Sequence, residues 1–178
     1  MADMPTLREA FLDEIRDIYH AEKQLVKALP KMAQAASNPE LKSAIENHLA
    51  ETENQVSRLE QVFELVGEKP QTKTCAGMAG IIEEGSDALG EDASGAVLDA
   101  MIIASAQRAE HYEIAAYGTV AAWAEGLGLT DAAELLRETL DEEKSADETL
   151  TELAEAGINA AAGGGAPAPG KARTAGRM

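Results

Sequence analysis

Between Thr6 and Gly157 the chain stops a helix at only a few places, and the stretches between are long and helically periodic. Thr6-x-x-Glu9 reads as a capping box that opens the first helix. That helix is predicted to reach about Ser37, with a kink at Pro30. Asn38-Pro39-Glu40 is a turn with proline at a first helical position, and the second helix runs from there to Gly67. A third runs from about Ser94 to Glu125 and ends at Gly126-Leu127-Gly128. A fourth, capped by Thr130 or Asp131, ends at Gly157. Aromatic residues make up only 3% of the chain, against 45% apolar residues overall, so a sheet protein is excluded and the class is all-α.

The connections after helices one and three are short, which makes each pair an antiparallel hairpin. The middle connection, residues 68–94, is long and holds a short helical piece around Met78–Glu84. It is long enough to run the length of a bundle, since a 30-residue helix spans about 45 Å. Two hairpins joined by one long crossover form the ferritin-like variety of four-helix bundle. Residues 1–157 form that bundle in this reading. Residues 158–178, rich in Gly, Ala and Pro, are expected to be a disordered basic tail.

Polar residues stand where the helical stripes call for apolar ones. The first stripe, Phe11, Ile15, Ile18, Glu22, Leu25, Leu29, contains a single acid. The third carries Glu110 and the fourth carries Glu143 and Asp147, while Glu51 sits at the edge of the second, between His48 and Gln55. Glu22, Glu51, Glu110 and Glu143 each lie near the middle of their helix. Mid-helix positions meet at one height whichever way each helix runs, so four carboxylates should share one central layer. Glu113, three residues after Glu110, adds a further candidate. Unpaired buried carboxylates repel and are costly to desolvate, so such a layer either holds protons or holds cations. Hard oxygen donors with an occasional imidazole suit iron or manganese, and two ions per chain is the number such bundles hold. The candidate ligands are therefore Glu22, Glu51, Glu110, Glu113, Glu143 and Asp147. His48 reads as a packed or supporting histidine, His111 as pointing away from the layer, and His20 as exposed. Tyr117 reads as packing, and is the tyrosine placed to donate to an oxygen at the centre.

Net charge narrows the partners. The chain has 32 acidic and 15 basic residues, a net −17, with three cations and no acid in the tail. That argues against a phosphate-backbone ligand and against an anionic membrane surface. No apolar run approaches the ~20 residues of a membrane span, and no signal peptide is visible. A single cysteine, Cys75, suits a reducing compartment and reads as inert packing. The expected setting is the cytoplasm.

The segments DEIRDIYHAEKQLVKALPKM, HLAETENQVSRLEQVFELVGEKP, AQRAEHYEIAAYGT and LDEEKSADETLTELA resemble the YciE/YciF-like family of ferritin-like bacterial proteins. The resemblance spans about residues 6–157, and AEHYEIAAYG is its most specific part. It implies a four-helix ferritin-like fold, a carboxylate-rich dimetal centre, self-association and a link to stress responses. It supplies no reaction. The sequence departs from the wider ferritin-like pattern on helix two, where no Glu-x-x-His follows Glu51, and on helix four, where Asp147 stands in place of a histidine.

Two functions remain open on these grounds. One is a dimetal oxidoreductase of peroxidase, catalase or ferroxidase type, acting on peroxide, O2 or ferrous iron. The other is a non-enzymatic stress protein in which metal staples the bundle and the surface self-associates or binds a partner. Ferritin-like analogy makes a homodimer the default.

Overall fold

The computed structural model describes residues 6–90 and 93–164, and every secondary-structure element among them is helical. Four helices are long: α1 (Leu7–Ala35), α2 (Pro39–Leu65), α4 (Ala96–Gly126) and α5 (Thr130–Leu153). A shorter α3 (Ala76–Gly90) lies in the middle connection. One wide turn (Ala154–Ile158) leads into a final short helix, α6 (Asn159–Ala162).

Local chemistry sets the starts of α1 and α2. The Thr6 side chain accepts from Glu9 N, and the Glu9 carboxylate accepts from Thr6 N in return, which closes the capping box. Asn38 Oδ1 accepts from Glu40 N and Leu41 N, and Pro39 takes a position whose N–H would have no partner. The helix continues through Pro30, whose ring is exposed, on to Ala35. Asp99, in the first turn of α4, is buried and accepts from Ser37 N (2.7 Å) and Asn38 N (3.0 Å). One carboxylate thus ties the α1–α2 turn to the start of α4. Asp99→Ala strands both amides and should cost about 2–3 kcal/mol in urea unfolding, with Asp99→Asn losing roughly half as much.

The long helices pack as a ring in which α1 meets α2, α2 meets α5, α5 meets α4, and α4 meets α1. Neighbours run antiparallel. Arg8 at the start of α1 donates to Val66 O at the end of α2, and Asp99 at the start of α4 meets the end of α1. Residues 66–95 therefore travel from one end of the ring to the other. On the way Lys73 N bonds Arg16 O (3.1 Å) and Cys75 N bonds His20 Nδ1 (3.1 Å). Cys75 Sγ lies 3.0 Å from the Tyr112 hydroxyl, and burial pushes its thiol up. Gly77 accommodates the Tyr112 ring: a Cβ there would meet Tyr112 Cε2 at 2.7 Å.

Several boundaries differ from the sequence reading for packing reasons. α3 extends well beyond Met78–Glu84, because Met78 and Gly85 bury against the ring and hold a glycine-rich segment helical. α5 begins after Leu129 with no side-chain cap, although Thr130 and Asp131 have cap chemistry. Leu129 packs on the apolar core, and that contact sets the start. Beyond Gly157, Ile158 is buried and residues 159–162 are helical, so the described chain stays ordered past the expected boundary. Residues 165–178, most of the predicted tail, lie outside the described residues.

The apolar core is in two parts. One gathers Phe11, Ile15, Leu59, Phe63, Val120 and Leu136 at the end of the ring where α1 begins. The other gathers Leu25, Leu29, Leu41, Ile45, Ile102 and Leu150 toward the opposite end. Between them lies a polar layer.

Candidate metal centre

Each long helix sends buried polar side chains into that layer. Glu22 comes from α1, His48, Thr52 and Gln55 from α2, Glu110 and Glu113 from α4, and Glu143 from α5. Ligand atoms of His48, Glu110, Glu113 and Glu143 all lie within 4.8 Å of one another. His48 Nε2 is 3.3 Å from Glu110 Oε1 and 4.0 Å from Glu143 Oε2. Glu22 adjoins the group: Tyr117 donates to its Oε1, and Glu113 and Glu143 both act on its carboxyl.

The layer is electrostatically unbalanced. Burial first, then the charge on Glu143, holds the Glu22 and Glu113 carboxyls well above the usual carboxylate range. Burial and the hydrogen bond shared with Glu143 do the same to Glu110. Tyr117, buried against Glu22, is likewise pushed well up and stays a neutral donor.

Neighbours orient one side of the layer. Gln55 Nε2 donates to Glu143 Oε1 (2.5 Å) and to Glu142 Oε2 (3.0 Å). Arg58 grips Glu142 through both terminal nitrogens (2.8 and 2.9 Å) and also reaches the Thr139 hydroxyl (2.7 Å). Partial burial would raise the Glu142 carboxyl, but Arg58 and Gln55 outweigh it and bring it below its ordinary value. An α2–α5 lattice thus fixes the Glu143 carboxylate from outside.

The remaining polar atoms of the layer are not satisfied. Among the described residues, the buried side-chain N and O atoms without a hydrogen-bond partner are Glu22 Oε2, His48 Nδ1, Gln55 Oε1, Glu110 Oε2, both Glu113 oxygens and Glu143 Oε2, together with Arg16 Nε. All but the last belong to this one layer. Buried polar atoms are almost always paired, so such a concentration of orphaned acceptors fits a cation. The donor set, carboxylates with one imidazole, fits iron or manganese better than a thiolate-seeking metal.

The sequence-predicted residues divide. Glu22, Glu110, Glu113 and Glu143 come together in the buried layer. Glu51 is exposed, its Oε2 3.6 Å from His48 Nδ1, because His48, Thr52 and Gln55 occupy the inward stripe of α2 and leave Glu51 outside it. Asp147 is half-buried on the α4–α5 face. Gln107 donates to its Oδ1 (3.0 Å) and His111 Nε2 lies 3.2 Å from its Oδ2. His48 stands inside the layer rather than behind it. Its place in the stripe Ile45, His48, Thr52 was the available signal. His20 is partly buried, its Nδ1 taken by Cys75 N.

This all-helical chain with a buried acidic layer belongs to the family described as Domain of unknown function (DUF892), whose model matches residues 6–163. It is 46% identical over 158 residues to Protein YciF of Escherichia coli (strain K12), covering 88% of this chain and 95% of that protein. The crystal structure of the E. coli stress protein YciF matches with a TM-score of 0.82 at 47% identity, over 85% of this chain and 96% of that one. The structure of YcfI from Rhodopseudomonas palustris matches equally well, with a TM-score of 0.82 at 47% identity over 84% and 96% of the two chains. A protein of Xanthomonas campestris matches at 25% identity with a TM-score of 0.69, over 87% and 95%.

Proposed function

We propose that this chain is a ferritin-like four-helix protein of a bacterial stress response that holds two iron or manganese ions in its central layer. The observation that carries the reading is the convergence of partnerless carboxylate oxygens from α4 and α5 on one buried imidazole, with Glu22 of α1 adjoining the group. Glu22, His48, Glu110, Glu113 and Glu143 would hold the ions. Glu51, beside His48 at the surface, would serve on the approach, and Asp147 would act on the layer only at a distance. The cytoplasm and a homodimer are the proposed setting and state.

Metal bound there would supply Lewis-acid and redox chemistry toward peroxide, O2 or ferrous iron. The chain's own residues do the rest. Gln55 and the Arg58–Glu142 pair fix the orientation of Glu143, and Tyr117 holds a proton against Glu22 Oε1. The two apolar half-cores flank the layer at either end. A single imidazole among the buried donors also favours a second reading, in which the ions staple the fold and turn nothing over.

Elemental analysis by mass spectrometry, on protein purified without chelator, tests the proposal. The expected result is about two irons or manganeses per chain. Protein free of both metals, and unable to take them up in dialysis, would leave a proton-storing carboxylate layer and end both metal readings. Peroxide and ferroxidase assays on the loaded protein then separate catalysis from stapling.

A further inference from the structure

A groove of about 240 Å³ runs between α1, α3 and α4. Its walls are apolar, with Leu25 and Met32 on one side and Ile81, Ile82 and Leu89 on the other. Ala106 and Ala109 give it a smooth base, and its inner end touches His48 and Glu110. The charged side chains that line it, apart from buried Glu110 and the imidazole, are Lys27 and Lys31. Both are exposed, they stand one turn apart on α1, and neither has an acidic partner among the described residues. On a chain with twice as many acids as bases, two unpaired ammoniums at the mouth of an apolar slot are a selective feature. The acids of α3, Glu83, Glu84 and Asp87, are exposed and stay outside the lining.

We propose that this groove binds an amphiphilic monoanion, a fatty carboxylate of medium chain length. Its head would pair with Lys27 and Lys31 and its chain would lie along Ile81 and Ile82 toward Glu110. The volume is below the roughly 300–1,000 Å³ of most small-molecule sites, so it selects a slender chain over a ring system. Burying that chain supplies the affinity, and the ammoniums supply the preference for an anion. Binding needs only the groove.

Titration calorimetry on the full chain, metal-loaded and metal-free, tests this with decanoate, decyltrimethylammonium and 1-decanol. One decanoate per chain is expected, with a Kd of order micromolar and at least about tenfold weaker binding of the two uncharged or cationic homologues. The Lys27→Gln/Lys31→Gln variant should weaken decanoate about tenfold. Ser86→Glu, an exposed change on the lining, should weaken it by a similar factor. Equal binding of all three probes, no binding of decanoate, or an unaffected lysine variant would overturn the proposal. Metal content measured on the same samples should match the unsubstituted protein in every variant. A failed groove and a failed metal centre are thereby told apart.

Discussion

Glu110→Gln should strip the proposed centre of metal and at the same time make the metal-free form more stable. The carboxylate it replaces is buried between His48 and Glu143, and burial and the bond shared with Glu143 raise its pKa. In the metal-free state it is a liability near neutral pH, because folding must either hold a proton on it or bury a further charge beside the others. The amide keeps the shape and removes that cost. The expected gain is about 1–2 kcal/mol near neutral pH, or roughly 3–6 °C in Tm for a chain of this size. The same amide cannot supply an anionic oxygen to a cation, so affinity should fall by at least about 100-fold. Calorimetry with chelator and with added manganese reads both effects from one sample. A variant less stable than the parent in chelator would mean that Glu110 is held by favourable hydrogen bonds and not by a bound cation.

The pH dependence of the metal-free protein should slope downward from mild acid through neutrality. Glu22, Glu110 and Glu113 have folded pKa values raised well above their ordinary 4.5. A group raised in the fold binds protons more tightly folded than unfolded. Its stabilisation is full below 4.5 and is lost as pH climbs through the raised value. Metal has the opposite slope, since Glu22, Glu110 and Glu113 must give up their protons before they bind it. The Tm difference between manganese-loaded and chelator-treated protein should therefore widen steadily from pH 5.5 to pH 8. At 1,000 times Kd the loaded form gains about 4 kcal/mol. A metal-free Tm that is flat or rises across that window would show that the three carboxyls do not store protons.

Much of this architecture is written in short-range chemistry. The Thr6–Glu9 box and the Asn38-Pro39 start are complete within four residues, so the sequence alone locates them. The mid-helix acids are legible for a similar reason, because a lone acid such as Glu22 in an apolar stripe has no local explanation. What escaped depends on rotation and on distant contacts. Glu51 and His48 differ by three residues, and the neighbours of α2 decide which of them faces inward. Asp147 fits the stripe of α5 by spacing, yet Gln107 and His111 across the helix interface hold its carboxylate. The length of α3 follows from burial of Met78 and Gly85 against the ring, which no glycine-rich segment announces by itself.

The division of the apolar core by the acidic layer also governs the order in which the molecule can assemble. Both half-cores draw side chains from all four long helices, from Phe11 and Leu59 through Val120 and Leu136 at one end, and from Leu25 and Ile45 through Ile102 and Leu150 at the other. Neither hairpin alone closes a half, and neither holds the donor set: α1–α2 brings Glu22 and His48, and α4–α5 brings Glu110, Glu113 and Glu143. A ribosome-bound chain that has emerged only through α2 therefore carries an unfinished core and too few donors to trap an ion. Quality control of the proposed centre is built into topology, since the layer comes into being only when residues 22 and 143, far apart in the sequence, have found each other.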